Sequence, residues 1–153
     1  VLDVAYKLAS QIPPHQLSEK LPGRDRTYLS LINHIAEIAD GYLKVSGGAR
    51  VTPRLMRAEP EKELGIAQLD RRIDKLRGLL LQSREAGLNY DNAVETFYGE
   101  KSLHEILERC AWHSAQHTRQ LMMVLEIMGI QAEDQLSQMD LEGLPVPTDV
   151  WDG

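Results

Sequence analysis

The stretch from Ser102 to Gly129 most constrains what this chain can become. Ser102, with Glu105 three residues on, is a capping box, the exchange of side-chain hydrogen bonds that satisfies the first amides of a helix. Leu103, Ile106, Leu107, Cys110, Ser114, Leu121, Val124, Leu125 and Met128 then follow steps of three and four, and Gly129 closes the run. The pattern predicts one long helix from Ser102 to about Met128, with a face committed to a core. His113 and His117 interrupt that face. Four residues are about one helical turn, so the two imidazoles point the same way. A buried ring nitrogen is costly without a hydrogen bond or a metal, so the pair requires partners.

The rest of the chain repeats the helical period. Leu2 to Gln11 reads as a short helix ended by Pro13-Pro14, and His15 to Gly23 as a polar connector closing on Pro22-Gly23. A second helix is predicted from about Asp25 to Val45, striped by Tyr28, Leu31, Ile32, Ile35, Ile38 and Tyr42 and stopped by Gly47-Gly48. Ala49 to Pro60 reads as a loop. A third helix is predicted from Glu61 to Glu85, with a seam at Ile66, Leu69, Ile73, Leu76 and Leu80. Leu88 to Lys101 is a longer connection with room for a short extended segment at Val94 to Tyr98. A fifth, short helix is expected over Ala132 to Met139, and Gly143 to Gly153 as an irregular strap. Alternating strand patterns are nearly absent. The expectation is an all-α, four-helix bundle in a single domain spanning 1–153, with its core over about 1–140. The third-helix seam either offers apolar surface for a homodimer or is used inside the monomer.

The 153 residues carry 17 Lys+Arg against 23 Asp+Glu, a net charge of −6. That balance argues against nucleic acid as a partner, because phosphate binding needs a basic footprint. The local cluster of Arg71, Arg72, Lys75 and Arg77 reads as a solvated helix face. No apolar run is long enough for a membrane span and no leader pattern opens the chain. A single cysteine, Cys110, rules out an internal disulfide and fits a reducing, cytoplasmic location.

Five histidines are present. His15 lies in a polar connector. His104 is nine residues from His113, about half a turn around the helix from it. His34, within Leu31-Ile32-Asn33-His34-Ile35, borders the stripe of the second helix, and two facing helices of a bundle would bring it to the pair. The bland reading is three satisfied core histidines. The sharper one is a divalent metal held by His34, His113 and His117 with an open position, the pattern of a catalytic site. Such a donor set accepts zinc, nickel, iron, cobalt or copper. There is no His-Glu-x-x-His metalloprotease motif.

The residues around these histidines resemble the DinB/YfiT-like superfamily, whose four-helix bundles carry one histidine on the second helix and an H-x-x-x-H pair on the last. The matching text is Leu31-Ile32-Asn33-His34-Ile35, the run from Trp112 to Leu121 and its flanks at Gly99 to Leu107 and Leu125 to Ile130. Many relatives follow the second paired histidine with Arg-Gly-Gln. Here Thr118-Arg119-Gln120 keeps the Gln and shifts the Arg by one residue, about 100° around the helix. The resemblance implies a divalent metal, often zinc or nickel, and a low-molecular-weight thiol as cosubstrate for S-transfer or thiol-dependent isomerisation of a small molecule.

Three neutral ligands leave the ion its full charge, so a thiol or water at the open position would lose its proton more readily. Gln120 shares the face of His113 and His117 and is a candidate to orient a ligand or substrate. Glu37, three residues after His34, is a candidate proton acceptor or partner for a ligand imidazole. Cys110 also faces inward and reads as an inert core thiol more readily than as a metal ligand. Trp112 points about 100° away from His113, toward a neighbouring helix. Three functions remain open at this level: a metal-dependent thiol transferase, a metal-dependent hydrolase with Glu37 as base, or a non-enzymatic metal-binding or interaction bundle.

Overall fold

The computed structural model describes residues 1–151. Four helices form the bundle: α1 (Leu2–Ser10), α2 (Tyr28–Ser46), α4 (Ile66–Glu85) and α5 (Leu103–Ile127). A short α3 (Pro53–Arg57) lies between α2 and α4, and α6 (Gln138–Leu141) follows α5. A hairpin of β1 (Ala93–Thr96) and β2 (Gly99–Ser102) leads into α5, paired antiparallel with Thr96 opposite Gly99. Helix α2 packs on α1, α4 and α5, which puts it at the centre of the bundle. The main core joins Leu8, Leu31, Ile32, Ile35, Leu69 and Leu121, all fully buried.

The predicted helical bundle is the observed architecture, and its differences in detail have local causes. Helix α2 begins at Tyr28 rather than near Asp25, because the Thr27 hydroxyl caps it through Ser30 N and Thr27 itself is extended, in an antiparallel bridge with Lys20. The Ala49–Pro60 loop contains α3, capped by Thr52 and opened by Pro53. Helix α4 begins at Ile66, not Glu61. The backbone of Leu64 is held from the neighbouring helix: the Asn33 amide donates to Leu64 O (3.0 Å) and its oxygen accepts from Leu64 N (2.8 Å). The extended segment expected at Val94 to Tyr98 is a hairpin in which Phe97 and Tyr98 form the exposed turn. The fifth helix shrinks to the single turn after Ser137, whose hydroxyl caps it.

Leu69, Ile73 and Leu76 are buried within the chain, so that part of the α4 seam serves the monomer. In the basic cluster, Arg72 pairs with Glu37 and Arg77 with Asp3 and Asp74. No helix is long and apolar enough to cross a membrane among the described residues.

Asn33 is fully buried and satisfies both backbone groups of Leu64. Truncation to alanine would strand them. We expect Asn33→Ala to cost about 2–3 kcal/mol, seen as a fall in thermal midpoint of roughly 5–10 °C. An unchanged melt would show that α4 does not depend on this cross-helix anchor.

Candidate metal centre

Helix α2 supplies His34 and helix α5 supplies His113 and His117. The ring centroids lie 4.7 Å apart for His34–His117, 5.3 Å for His34–His113 and 4.6 Å for His113–His117. One ligand nitrogen from each ring falls within 4.8 Å of the others, so the cluster could hold a metal ion. His34 and His117 are buried and His113 is partly exposed.

Oxygen atoms of the protein fix two of the rings. His34 Nδ1 is 2.9 Å from the carbonyl of Ala58. A carbonyl only accepts, so His34 carries its proton on Nδ1 and its lone pair on Nε2. Ala58 ends α3 in the left-handed conformation, at φ 49°, a geometry that costs a non-glycine residue about 1 kcal/mol. That turn is what aims the Ala58 carbonyl at His34.

The second ring is set through a chain of three. Gln120 Nε2 donates to Val150 O (3.1 Å), and a carbonyl cannot donate back, so the orientation of the amide is determined. Its oxygen then faces His117 Nδ1 at 2.8 Å and accepts that proton. In its neutral form His117, like His34, therefore presents its lone pair at Nε2. A ring nitrogen that carries a lone pair while the other donates to an oxygen is the form in which histidine binds a metal. The residues fit a divalent ion on these grounds.

His34 sits far below its ordinary value, at about 3. Burial is the main cause, the nearby Arg26 charge and His117 add to it, and the Ala58 hydrogen bond opposes it. The unfolded chain takes up this proton near pH 6.5 and the folded one only near 3. The stability tied to the neutral ring is therefore complete above pH 6.5 and is lost as the pH falls toward 3. For metal-free protein we expect a loss of roughly 3 kcal/mol from this ring between pH 7 and 4. Urea melts across that range would show it, and His34→Ala should flatten the slope.

Glu37 stands in an ion pair with Arg72, 2.6 Å away. The hydrogen bond anticipated between Glu37 and a ligand imidazole is made to His34 by Ala58 instead. Cys110 lies outside the cluster that could hold a metal, and burial pushes its thiol up to about 11, so it is protonated and inert at neutral pH. His15 and His104 are exposed and remote from the cluster.

Three further parts of the site were not anticipated. Pro22 and Gly23 (φ 70°) make a tight turn closed by Arg24 N to Leu21 O (3.0 Å), the arrangement of a type II turn. It delivers Arg24 and Arg26 to a cleft of about 290 Å³ whose other walls include His117 and Gln120. Toward His113 lies a small apolar pocket of about 40 Å³, bordered by Val45, Leu55, Met56 and Ile106. The third part is the C-terminal strap. Gln116 Nε2 donates to Asp149 O (2.8 Å) and Val150 O (2.7 Å), and Arg119 donates to Pro147 O (2.6 Å) and Thr148 O (3.0 Å). The strap was predicted as irregular chain over Gly143 to Gly153; its residues 152 and 153 lie outside the described residues.

A family model for the DinB superfamily matches residues 1–121, a span that contains all three histidines and Gln120. The chain belongs to the DinB superfamily. Searches of curated proteins and of solved structures found no match. In this DinB-superfamily chain the three histidines lie on α2 and α5, and the displaced Arg119 joins Gln116 and Gln120 in holding the strap.

Proposed function

We propose that this DinB-superfamily chain is a divalent-metal enzyme that activates a low-molecular-weight thiol and transfers its sulfur to a small electrophile. His34, His113 and His117 are the proposed ligands, zinc or nickel the proposed ion and the cytoplasm the proposed location. The observation that carries the reading is the trio of imidazoles, two of them held by oxygen acceptors at Nδ1 so that Nε2 is the nitrogen left for a ligand role, beside an accessible cleft. Held this way, the ion would keep its full charge and draw the proton from a thiol at its open position. Gln120 keeps His117 in the competent tautomer, and the walls of the cleft orient the incoming molecule. Hydrolysis is the alternative. It needs a general base for water, and the carboxylate best placed by sequence, Glu37, is engaged by Arg72.

The test uses the full chain without a polyhistidine tag, loaded with cobalt(II) and mixed with 2-mercaptoethanol and a haloaromatic electrophile. The sulfur–carbon bond forms as the carbon–halogen bond breaks, the halide leaves with the bonding pair, and the thiol proton passes to buffer. The expected result is a thiolate-to-cobalt absorption band on adding thiol, and metal-dependent loss of thiol on adding electrophile. Bound cobalt with neither response would overturn the thiol reading and leave a metal-binding bundle.

A further inference from the structure

Helix α2 carries a glycine that the fold around it does not require. Gly41 is buried in the interior of the helix, where glycine is less favourable than alanine. Its backbone is helical, outside the positive-φ region that favours glycine. A Cβ at this position would meet Leu55 of α3 first, at 3.6 Å, an ordinary van der Waals contact. Neither conformation nor a crowding neighbour therefore explains the missing methyl. What its absence leaves is space, because Gly41 and Leu55 both border the pocket of about 40 Å³ that reaches His113. Ile38, Val45, Val51 and Ile106 add hydrocarbon walls, and Met56, Cys110 and Arg109 complete the lining. The Met56 wall is pinned: Arg109 Nε donates to its sulfur at 2.9 Å, and the same guanidinium lies over the Trp112 ring, 5.8 Å from its centroid. Arg109, Trp112 and His113 share one turn of α5, so this wall and a candidate metal ligand are built on the same piece of helix.

From this arrangement we propose that the pocket receives a short aliphatic group of the small molecule that reacts at the metal centre, and that Gly41 sets the length it admits. The proposal rests on the thiol reading above only in taking that molecule to be the thiol. One water needs about 10–15 Å³, so the pocket has room for roughly three heavy atoms. Each methylene buried there favours binding, whereas a hydroxyl would give up water and meet hydrocarbon walls. A group seated in the pocket lies against His113, the partly exposed member of the histidine trio. A methyl at Gly41 would take up part of this space without disturbing the helix.

The measurement is titration of the cobalt-loaded full chain with ethanethiol, 1-propanethiol and 2-mercaptoethanol, read from the thiolate-to-cobalt band. The last two match in length and differ in a terminal methyl against a hydroxyl. The wild type is expected to bind 1-propanethiol about tenfold more tightly than 2-mercaptoethanol and about fourfold more tightly than ethanethiol. In Gly41→Ala the affinity for 1-propanethiol should fall by about tenfold while that for ethanethiol stays unchanged. The thermal midpoint of the variant should hold or rise, since alanine suits the helix interior, and this separates a filled pocket from a damaged fold. No preference for 1-propanethiol over 2-mercaptoethanol in the wild type would overturn the subsite. So would an unchanged 1-propanethiol affinity in the variant, or an equal loss for ethanethiol and 1-propanethiol. If no thiol gives the band, the thiol reading fails by itself and xenon decides. Shifts of the Val45 and Leu55 methyl resonances under xenon pressure that vanish in Gly41→Ala uphold the apolar subsite, and no such shifts overturn it.

Discussion

His113→Ala is expected to strip the protein of its metal. Wild-type chain purified without a polyhistidine tag and dialysed against a divalent ion should hold about one ion per chain by elemental analysis, and the variant close to none. Loss of an outer hydrogen-bonding partner alone weakens metal sites by about 10–100-fold, so removal of a direct ligand should exceed about 100-fold. His113 is the best of the three for this test because it is partly exposed, and its loss disturbs the core less than that of buried His34 or His117. The ion would join α2 to α5, so binding should also appear in stability. At a thousandfold excess over the dissociation constant it would contribute about 4 kcal/mol, a rise of roughly 8–16 °C in the melting temperature for a chain of this size. The variant should show no such rise. A variant that keeps both its metal and its thermal response would remove the histidine cluster from the account.

The second large effect is expected at Gln120, with Arg119 as a graded companion. The amide of Gln120 is oriented by Val150 O and in turn decides which nitrogen of His117 carries the proton. Gln120→Ala should weaken metal binding by about 10–100-fold, measured by competition with a chromophoric chelator. Arg119→Ala leaves Gln120 in place but removes the donors to Pro147 and Thr148, so the strap loosens and the amide loses part of its constraint. A smaller loss, on the order of tenfold or below, is expected there. The order of the three variants is the test: ligand, then amide, then anchor. Wild-type affinity in Gln120→Ala would show that the tautomer of His117 is set by something other than this chain of hydrogen bonds.

The histidine trio and the bundle were legible because they rest on local rules. The capping box at Ser102, the three-and-four steps of α5 and the one-turn spacing of His113 and His117 are properties of neighbouring residues. His34 could be placed because it borders a regular stripe. The start of α4 was not legible: the charged run from Glu61 suits a helix, but Asn33 of α2 holds Leu64 in another conformation. Ala58 gave no signal, since alanine rarely takes a left-handed turn and here serves a ring on a different helix. The Pro22-Gly23 turn was visible, but its destination, which carries Arg24 and Arg26 to His117, lies in tertiary structure. Arg119 looked like a displaced family residue until its partners, about thirty positions later in the chain, were seen.

The strap is gripped in a way that bears on how its evolution would look. Gln116, Arg119 and Gln120 reach residues 147–150 through peptide carbonyls alone. Every amino acid supplies that acceptor, so the grip is indifferent to which side chains occupy the segment. Its letters are free to drift while its path stays fixed, and the constraint falls on three polar side chains of a distant helix. Aligned by sequence, such a tail would pass for unconstrained spacer, yet its Val150 carbonyl orients the amide that holds His117.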